Sequence, residues 1–168
     1  RLDFKKLAHV CGQQIAMADN AALLHECEGF LAATGQPPLT PLQRSRMQAA
    51  MPHLKDRAKT FPELLEKAQF ALASRPIRPD PAAAAALDPA GRDALRTLTP
   101  QLQNAEWTKA ALEPILTGAA ETLGIGFGKL AARLRAALAG RTASPSVYDM
   151  MLVIGREETI ARLEDAAA

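Results

Sequence analysis

Aromatic side chains are scarce in this chain, which has one Trp, one Tyr and five Phe among 168 residues. Aromatic residues favour strands, and no segment shows the alternation of apolar and polar residues typical of a strand. The hydrophobic fraction of 48% is nevertheless too high for a disordered chain. We therefore expect an all-α fold without a sheet, with a core of Leu, Ala, Ile, Val and Met.

Cysteine is also rare, and the two that occur, Cys11 and Cys27, fall within helical apolar patterns. This placement favours buried, reduced thiols in a cytoplasmic protein over a disulfide. No signal peptide opens the sequence, and no apolar run is long enough to cross a bilayer. Because the chain opens on Arg1 rather than Met, we expect it to be a piece of a longer protein.

Residues that could form a catalytic or metal site are missing as well. His9 and Cys11 stand two apart, as do His25 and Cys27, and on a helix such side chains point about 200° away from each other. The glycine-rich segment 124–128 follows a helix rather than a strand, which favours a tight turn over a phosphate-binding loop. We therefore predict no catalytic residue and no metal site.

Capping residues, prolines and glycines divide the chain into short helices. The most irregular stretch, 75–88, holds three prolines and five successive alanines, which predicts a loop with a short helix at a subdomain boundary. The predicted organisation is a helical subdomain over 1–75, a connector over 76–88 and a second helical subdomain over 89–168. Helix starts are predicted at Thr40-Pro41, Thr60 with Glu63, Asp88-Pro89, Thr108 and Ser144-Pro145. Breaks or ends are predicted at Met51-Pro52, about Ser74, Gly124, Gly140 and Gly155, and Pro100 is predicted to end or kink its helix.

The net charge of +2 is mild, but the basic residues are clustered. Residues 124–148 hold four basic and no acidic residues, and residues 41–60 hold five basic residues against the single Asp56. Such clusters suit a nucleic-acid backbone, although most are solvated helix faces.

The segment around Ser144-Pro145 adds a second feature. A helix that starts there has unpaired backbone N–H groups, which attract phosphates and base oxygens. Arg135, on the preceding helix, can stack on a base or bond its edge, and Val147 can offer an apolar contact. From the residues alone, the simpler interpretation is that Ser144 caps, Val147 packs and Arg135 is solvated.

Four segments, in collinear order, resemble the C-terminal region of bacterial glutamyl-tRNA synthetases. The strongest likeness is LRAALAGRTASPSVYDMMLVIGREETIARL, which ends at Leu163. The family pattern there is roughly L-R-x-A-L-T-G, then S/T-P, an aliphatic residue, an aromatic residue, L-G-[KR]-E and R-L. The other segments are EWTKAALEPIL (Glu106–Leu116), Phe61-Pro62-Glu63 after Lys59, and FKKLAHVCGQQI (Phe4–Ile15).

This resemblance implies a two-part helical bundle that forms a cage of α-helices around the anticodon loop of tRNA. The positions that it implies for contacts with anticodon bases are Arg135, Ser144, Pro145, Val147, Ala132 and Leu54. Contacts with the tRNA backbone are expected from Lys129, Arg133, Arg141 and Arg57.

The chain departs from the family pattern at two positions. Cys11 stands where the entry segment usually has Asn, which changes the contacts expected there. Leu54 stands near a position where some relatives carry an Arg that reads the third anticodon letter, and Leu has no donor for a base edge. We therefore hypothesise that the parent enzyme accepts glutamine tRNA as well as glutamate tRNA, unless Lys55 or Arg57 takes over this role.

The ATP-site signatures of the family are absent, so the resemblance implies no cofactor in this chain. ATP and Mg would serve a catalytic half that precedes Arg1. The expected partners are tRNA and that catalytic domain, in a monomeric protein. The alternatives are a helical protein–protein interaction domain without an RNA role, a double-stranded DNA-binding domain and a stand-alone enzyme.

Overall fold

The computed structural model describes residues 19–168, and all regular structure within that range is helical. The predicted all-α fold is thus confirmed for this part of the chain. The chain divides into two compact units, residues 1–72 and residues 73–168. His9 and Cys11 lie outside the described residues.

The first unit contains four described α-helices and one short 3-10 helix. They are α1 (Asn20–Ala33), α2 (Pro41–Leu54), the 3-10 turn Lys55–Arg57, α3 (Phe61–Lys67) and α4 (Gln69–Leu72). The predicted start at Thr40-Pro41 is confirmed by a capping box, in which Thr40 and Gln43 each accept a hydrogen bond from the other's backbone N–H. Thr60 likewise accepts from the backbone N–H of Glu63 at 3.2 Å.

Two helix ends predicted in this unit are wrong. Pro52 does not break α2, which continues to Leu54. The missing N–H of Pro52 removes one hydrogen bond near the helix end, while Met51 and Leu54, both 0% exposed, hold the last turn in the core. The helix that starts after Thr60 does not run to Ser74 either, because it is interrupted at Ala68 and resumes only to Leu72.

The second unit contains the remaining helices. They are α5 (Pro81–Ala84), the 3-10 turn Ala85–Leu87, α6 (Pro89–Gln103), α7 (Lys109–Leu123), α8 (Phe127–Ala139), α9 (Val147–Ile154) and α10 (Arg156–Ala167). Helix α8 contacts α6, α7, α9 and α10, and both short helices of the connector also pack on it. The stretch 76–88 is therefore part of this unit, which begins at Ala73.

Local signals placed most helix boundaries of this unit correctly. Asp88 and Thr108 cap α6 and α7 through their side-chain oxygens, and Gly124 and Gly140 end α7 and α8 in the left-handed conformation. Pro100 does not end α6, which continues to Gln103.

A fully buried arginine joins the C-terminal end of α8 to α10. The Arg162 side chain is 0% exposed, and its Nε donates to Glu158 Oε1 at 2.9 Å. Its two terminal nitrogens donate to the carbonyl oxygens of Leu138 at 2.7 Å and Ala73 at 3.2 Å. Leu138 lies in the last turn of α8, where carbonyl groups lack partners within the helix. Arg162 therefore completes that turn from a neighbouring helix.

We predict that Arg162→Met destabilises the second unit by about 3 kcal/mol, because it removes the hydrogen bonds to Glu158 and to the carbonyl groups of Leu138 and Ala73. Urea unfolding followed by fluorescence measures this, since the single Trp of the chain, Trp107, lies in the second unit. Arg75→Met is the matched control, because Arg75 also pairs with a carboxylate of α10, that of Asp165, at 2.9 Å, but does so on the exposed surface. The interpretation fails if the two variants unfold at the same urea concentration.

Gly140, which ends α8, is held closely against the connector. Its carbonyl accepts from the backbone N–H of Asp80 at 2.9 Å, and its φ is +68°. A Cβ at this position would lie 2.6 Å from the carbonyl oxygen of Arg78. Both the backbone conformation and the close approach therefore require glycine here.

We predict that Gly140→Ala costs about 2 kcal/mol more in unfolding free energy than Gly124→Ala. Gly124 has almost the same φ, +65°, but a Cβ there would meet nothing within 4 Å. The difference between the two variants in unfolding free energy therefore measures the clash with the connector, because the backbone strain is the same in both. Equal losses in the same urea titration would show that the connector does not constrain the turn.

Candidate nucleic-acid interface

The exposed stripe of α8 brings together three of the predicted RNA-contact residues. The stripe consists of Lys129, Ala132, Arg135 and Ala139, whose spacings of three and four residues place them on one face of the helix. Lys129 is exposed and the other three are half-buried, while the intervening residues other than Arg133 are apolar and form part of the core. Lys129, Ala132 and Arg135 therefore face solvent together.

Arg135 is the cation of this stripe best placed to contact a ligand. Within residues 19–168, no side chain or carbonyl forms a hydrogen bond or ion pair with its guanidinium. Its own backbone carbonyl accepts from Gly140 N at 3.1 Å, which ties it to the turn that ends the helix. Since residues 124–148 contain no carboxylate, a negatively charged ligand at this stripe would meet no acidic residue from the same segment.

Arg133 does not belong to this exposed set. The residue is only 6% exposed and lies on the packed side of α8, whereas a backbone contact requires a side chain that extends into solvent. Its predicted role as a backbone contact is therefore corrected to one in packing. The sequence pattern could not reveal that Arg133 is buried, because the burial of each position on a helix depends on which other helices pack against it.

The loop between α8 and α9 corrects the predicted helix start. Helix α9 begins at Val147 with Ser146 as N-cap, two residues later than Ser144-Pro145 predicted, and no side-chain hydrogen bond caps it. The hydroxyl of Ser144 instead donates to the carbonyl oxygen of Pro145 at 2.9 Å. Ser146 and Asp149 have the spacing of an N-cap residue and its N3 partner, a signal that indicates the true start.

Three residues predicted to touch anticodon bases are buried. Val147 is 2% exposed, Leu54 is 0% exposed, and Pro145 is also buried. Such side chains have no surface to offer a base, so we correct their roles to packing. For Leu54, burial agrees with the absence of a donor at this position.

The remaining predicted residues lie at the surface. Arg141 is exposed immediately after the Gly140 turn, and Ser144 is half-buried in the same loop. Arg57 is exposed on the 3-10 turn Lys55–Arg57 of the first unit.

An aromatic and cationic cluster, not identified from the sequence, lies where α8 and α9 begin. The rings of Phe127 and Tyr148 stack with centroids 6.1 Å apart and planes inclined by 13°. Lys109 Nζ, at the start of α7, lies 5.9 Å from the Tyr148 centroid. Burial raises the pKa of the Tyr148 phenol, the Glu113 carboxylate raises it further, and a hydrogen bond with Thr117 opposes both effects. We call Phe127, Tyr148 and Lys109 the Phe127 cluster.

Other classes of site find little support in the described residues. Between residues 19 and 168, no helix is both long and apolar enough for a membrane span, and no three His, Cys, Asp or Glu residues gather to hold a metal ion. Cys27 is buried, and desolvation, with a contribution from Glu28, raises its thiol pKa to about 11. A thiol with such a pKa is protonated and unreactive at neutral pH.

Comparison with curated proteins gives extensive similarity at the level of sequence. Over all 168 residues the chain is 67% identical to "Glutamate--tRNA ligase 2" of Cereibacter sphaeroides and 59% identical to "Glutamate--tRNA ligase 1" of Dinoroseobacter shibae. It spans only 36% of the length of each of these relatives.

Solved structures and a family profile complete the comparison. A crystal structure of a glutamate tRNA ligase from Elizabethkingia meningosepticum matches 99% of this chain with a TM-score of 0.76 at 24% identity, and the match covers 32% of that chain. This likeness shows the fold. The profile of the anticodon binding domain matches residues 21–167, which include most of both helical units and the exposed stripe of α8. On this match the chain belongs to the anticodon-binding domain family.

Proposed function

We propose that this chain is the anticodon-recognition part of a cytoplasmic glutamate–tRNA ligase. It binds the anticodon loop of glutamate tRNA, while a catalytic part outside this sequence attaches glutamate to the same tRNA. The observation that carries the proposal is the exposed stripe of α8, which presents Arg135 and Lys129 in a segment without carboxylates. The names of the similar proteins support the choice of glutamate.

The two cations of the stripe have different tasks in this proposal. Lys129 is an exposed point charge near the start of α8, suited to steering a phosphate backbone. Arg135 is half-buried, so less of its freedom remains to be lost on binding, and its planar fork can bond a base edge or stack on a base. The charge of Lys129 therefore attracts the RNA, and the planar guanidinium of Arg135 selects the base.

ATP and Mg belong to the catalytic part in this proposal. No reaction step is assigned to this chain, because the proposal places the chemistry in the catalytic part outside this sequence.

We predict that Arg135→Ala weakens binding of glutamate tRNA by about 1–3 kcal/mol and reduces the preference over anticodon-swapped tRNA. Arg135→Lys should keep the charge but lose the fork, so anticodon preference should fall while the salt dependence of binding stays almost unchanged. Fluorescence titration of the tRNAs at several salt concentrations measures both quantities.

Lys129→Ala, on the same stripe, is the matched control. It should weaken binding equally for all anticodons and lower the salt slope by about one. If Arg135→Ala binds every tRNA as the unaltered chain does, Arg135 reads no base. If the unaltered chain binds tRNA independently of salt and anticodon, a protein–protein interaction domain is the better assignment.

We further propose that glutamine tRNA is accepted as well as glutamate tRNA. The support is Leu54, which is buried and has no donor for the third anticodon letter. The two tRNAs should therefore compete with similar affinity in the same titration. A preference of about a hundredfold for glutamate tRNA, roughly 2.7 kcal/mol, would contradict this. If Arg57→Ala then lost that preference, Arg57 would be the residue that reads the third anticodon letter.

A further inference from the structure

Phe127 is exposed in a way that packing does not explain. It is 39% exposed, whereas every other aromatic residue within 19–168 is buried or half-buried. One side of its ring is supported by Tyr148 at a centroid distance of 6.1 Å. Tyr148 is only 9% exposed, so Phe127 packs against a ring that is itself buried. The result is a rigid, partly open aromatic surface.

The two residues that flank Phe127 keep this surface bare. Gly126 and Gly128 precede and follow it, and a Cβ added at either position would meet nothing within 4 Å. Neither φ is left-handed, so neither glycine is required by the backbone. In a helix, Gly is about 0.5–1 kcal/mol less favourable than Ala, so Gly128 weakens the first turn of α8 without any gain in packing. Neither glycine therefore places side-chain atoms next to Phe127.

We propose that one unpaired base of the bound RNA stacks on Phe127, with Lys109 pairing with a phosphate of the same strand. This inference rests on the proposed function and adds a contact to it. An aromatic platform beside a cation is the arrangement by which proteins hold single-stranded RNA. Lys109 Nζ lies 5.9 Å from the centroid of Tyr148, the ring on which Phe127 stacks, so the cation and the exposed ring share one aromatic neighbour. One acidic group near the cluster, Glu113, acts on the Tyr148 phenol.

The other exposed large apolar residue among those described, Leu42, lacks these features. Leu42 is 58% exposed, but it is aliphatic and lies on α2 in the first unit. Of these two exposed residues, Phe127 is therefore the one that offers the flat π-surface that a base requires.

The test uses the 168-residue chain and anticodon stem-loop RNAs that carry a fluorescent adenine analogue at each loop position in turn. We expect the fluorescence to be quenched on binding at one position, because stacking quenches such analogues. Phe127→Ala should abolish this quenching and weaken binding about 5- to 150-fold, the effect of losing one base–aromatic stack. The loss should be the same at low and high salt. Phe127→Trp should restore both signals.

Leu42→Ala is the control for loss of an exposed apolar side chain, and it should change neither affinity nor quenching. Thermal unfolding of each variant shows whether the fold is kept. The stacking contact is overturned if Phe127→Ala binds and quenches like the unaltered chain while Arg135→Ala is weakened, which leaves the proposed function intact. If the unaltered chain and both variants bind RNA equally and without anticodon preference, the proposed function itself fails.

Discussion

The buried guanidinium of Arg162 is the interaction on which the second unit depends. A buried arginine is destabilising unless its charge is paired and its guanidinium is hydrogen-bonded, and here it binds a carboxylate and two carbonyl oxygens. One of these carbonyls, that of Leu138, lies at the negative end of the α8 dipole, where a positive charge is favourable. The contact therefore fixes the C-terminal end of the same helix that carries the exposed stripe.

Gly140 continues this constraint into the loop that follows. The connector bonds its carbonyl through Asp80 N and leaves no room for a side chain beside Arg78. Residues 141–146 thus start from a fixed point and lead to α9, whose first residues pack Tyr148 against Phe127. Arg162, Gly140 and Tyr148 touch different parts of α8, and together they hold both of its ends. The surface between those ends is consequently preformed.

The sequence allowed correct prediction of features whose cause is local. Thr40, Asp88 and Thr108 cap helices with their own side chains, and glycine ends α7 and α8 because a left-handed residue is needed there. The burial of individual arginine side chains could not be predicted in this way. Arg133 and Arg135 are two residues apart with similar chemistry, and only the packing of other helices decides which one faces solvent. Arg162 shows the same limit, because its partners Leu138 and Ala73 are distant in sequence.

A preformed surface is what the proposed recognition of an anticodon requires for specificity. A side chain that is already ordered loses less conformational entropy on binding, so more of each contact appears as affinity. The ring of Phe127, supported by Tyr148, meets this condition, and partial burial restricts the Arg135 side chain more than exposed Lys129 is restricted. Base selection should therefore come from Phe127 and Arg135, and general attraction from exposed charges such as Lys129. Since discrimination is a difference between two affinities, the planar guanidinium of Arg135 affects it more than any further positive charge would.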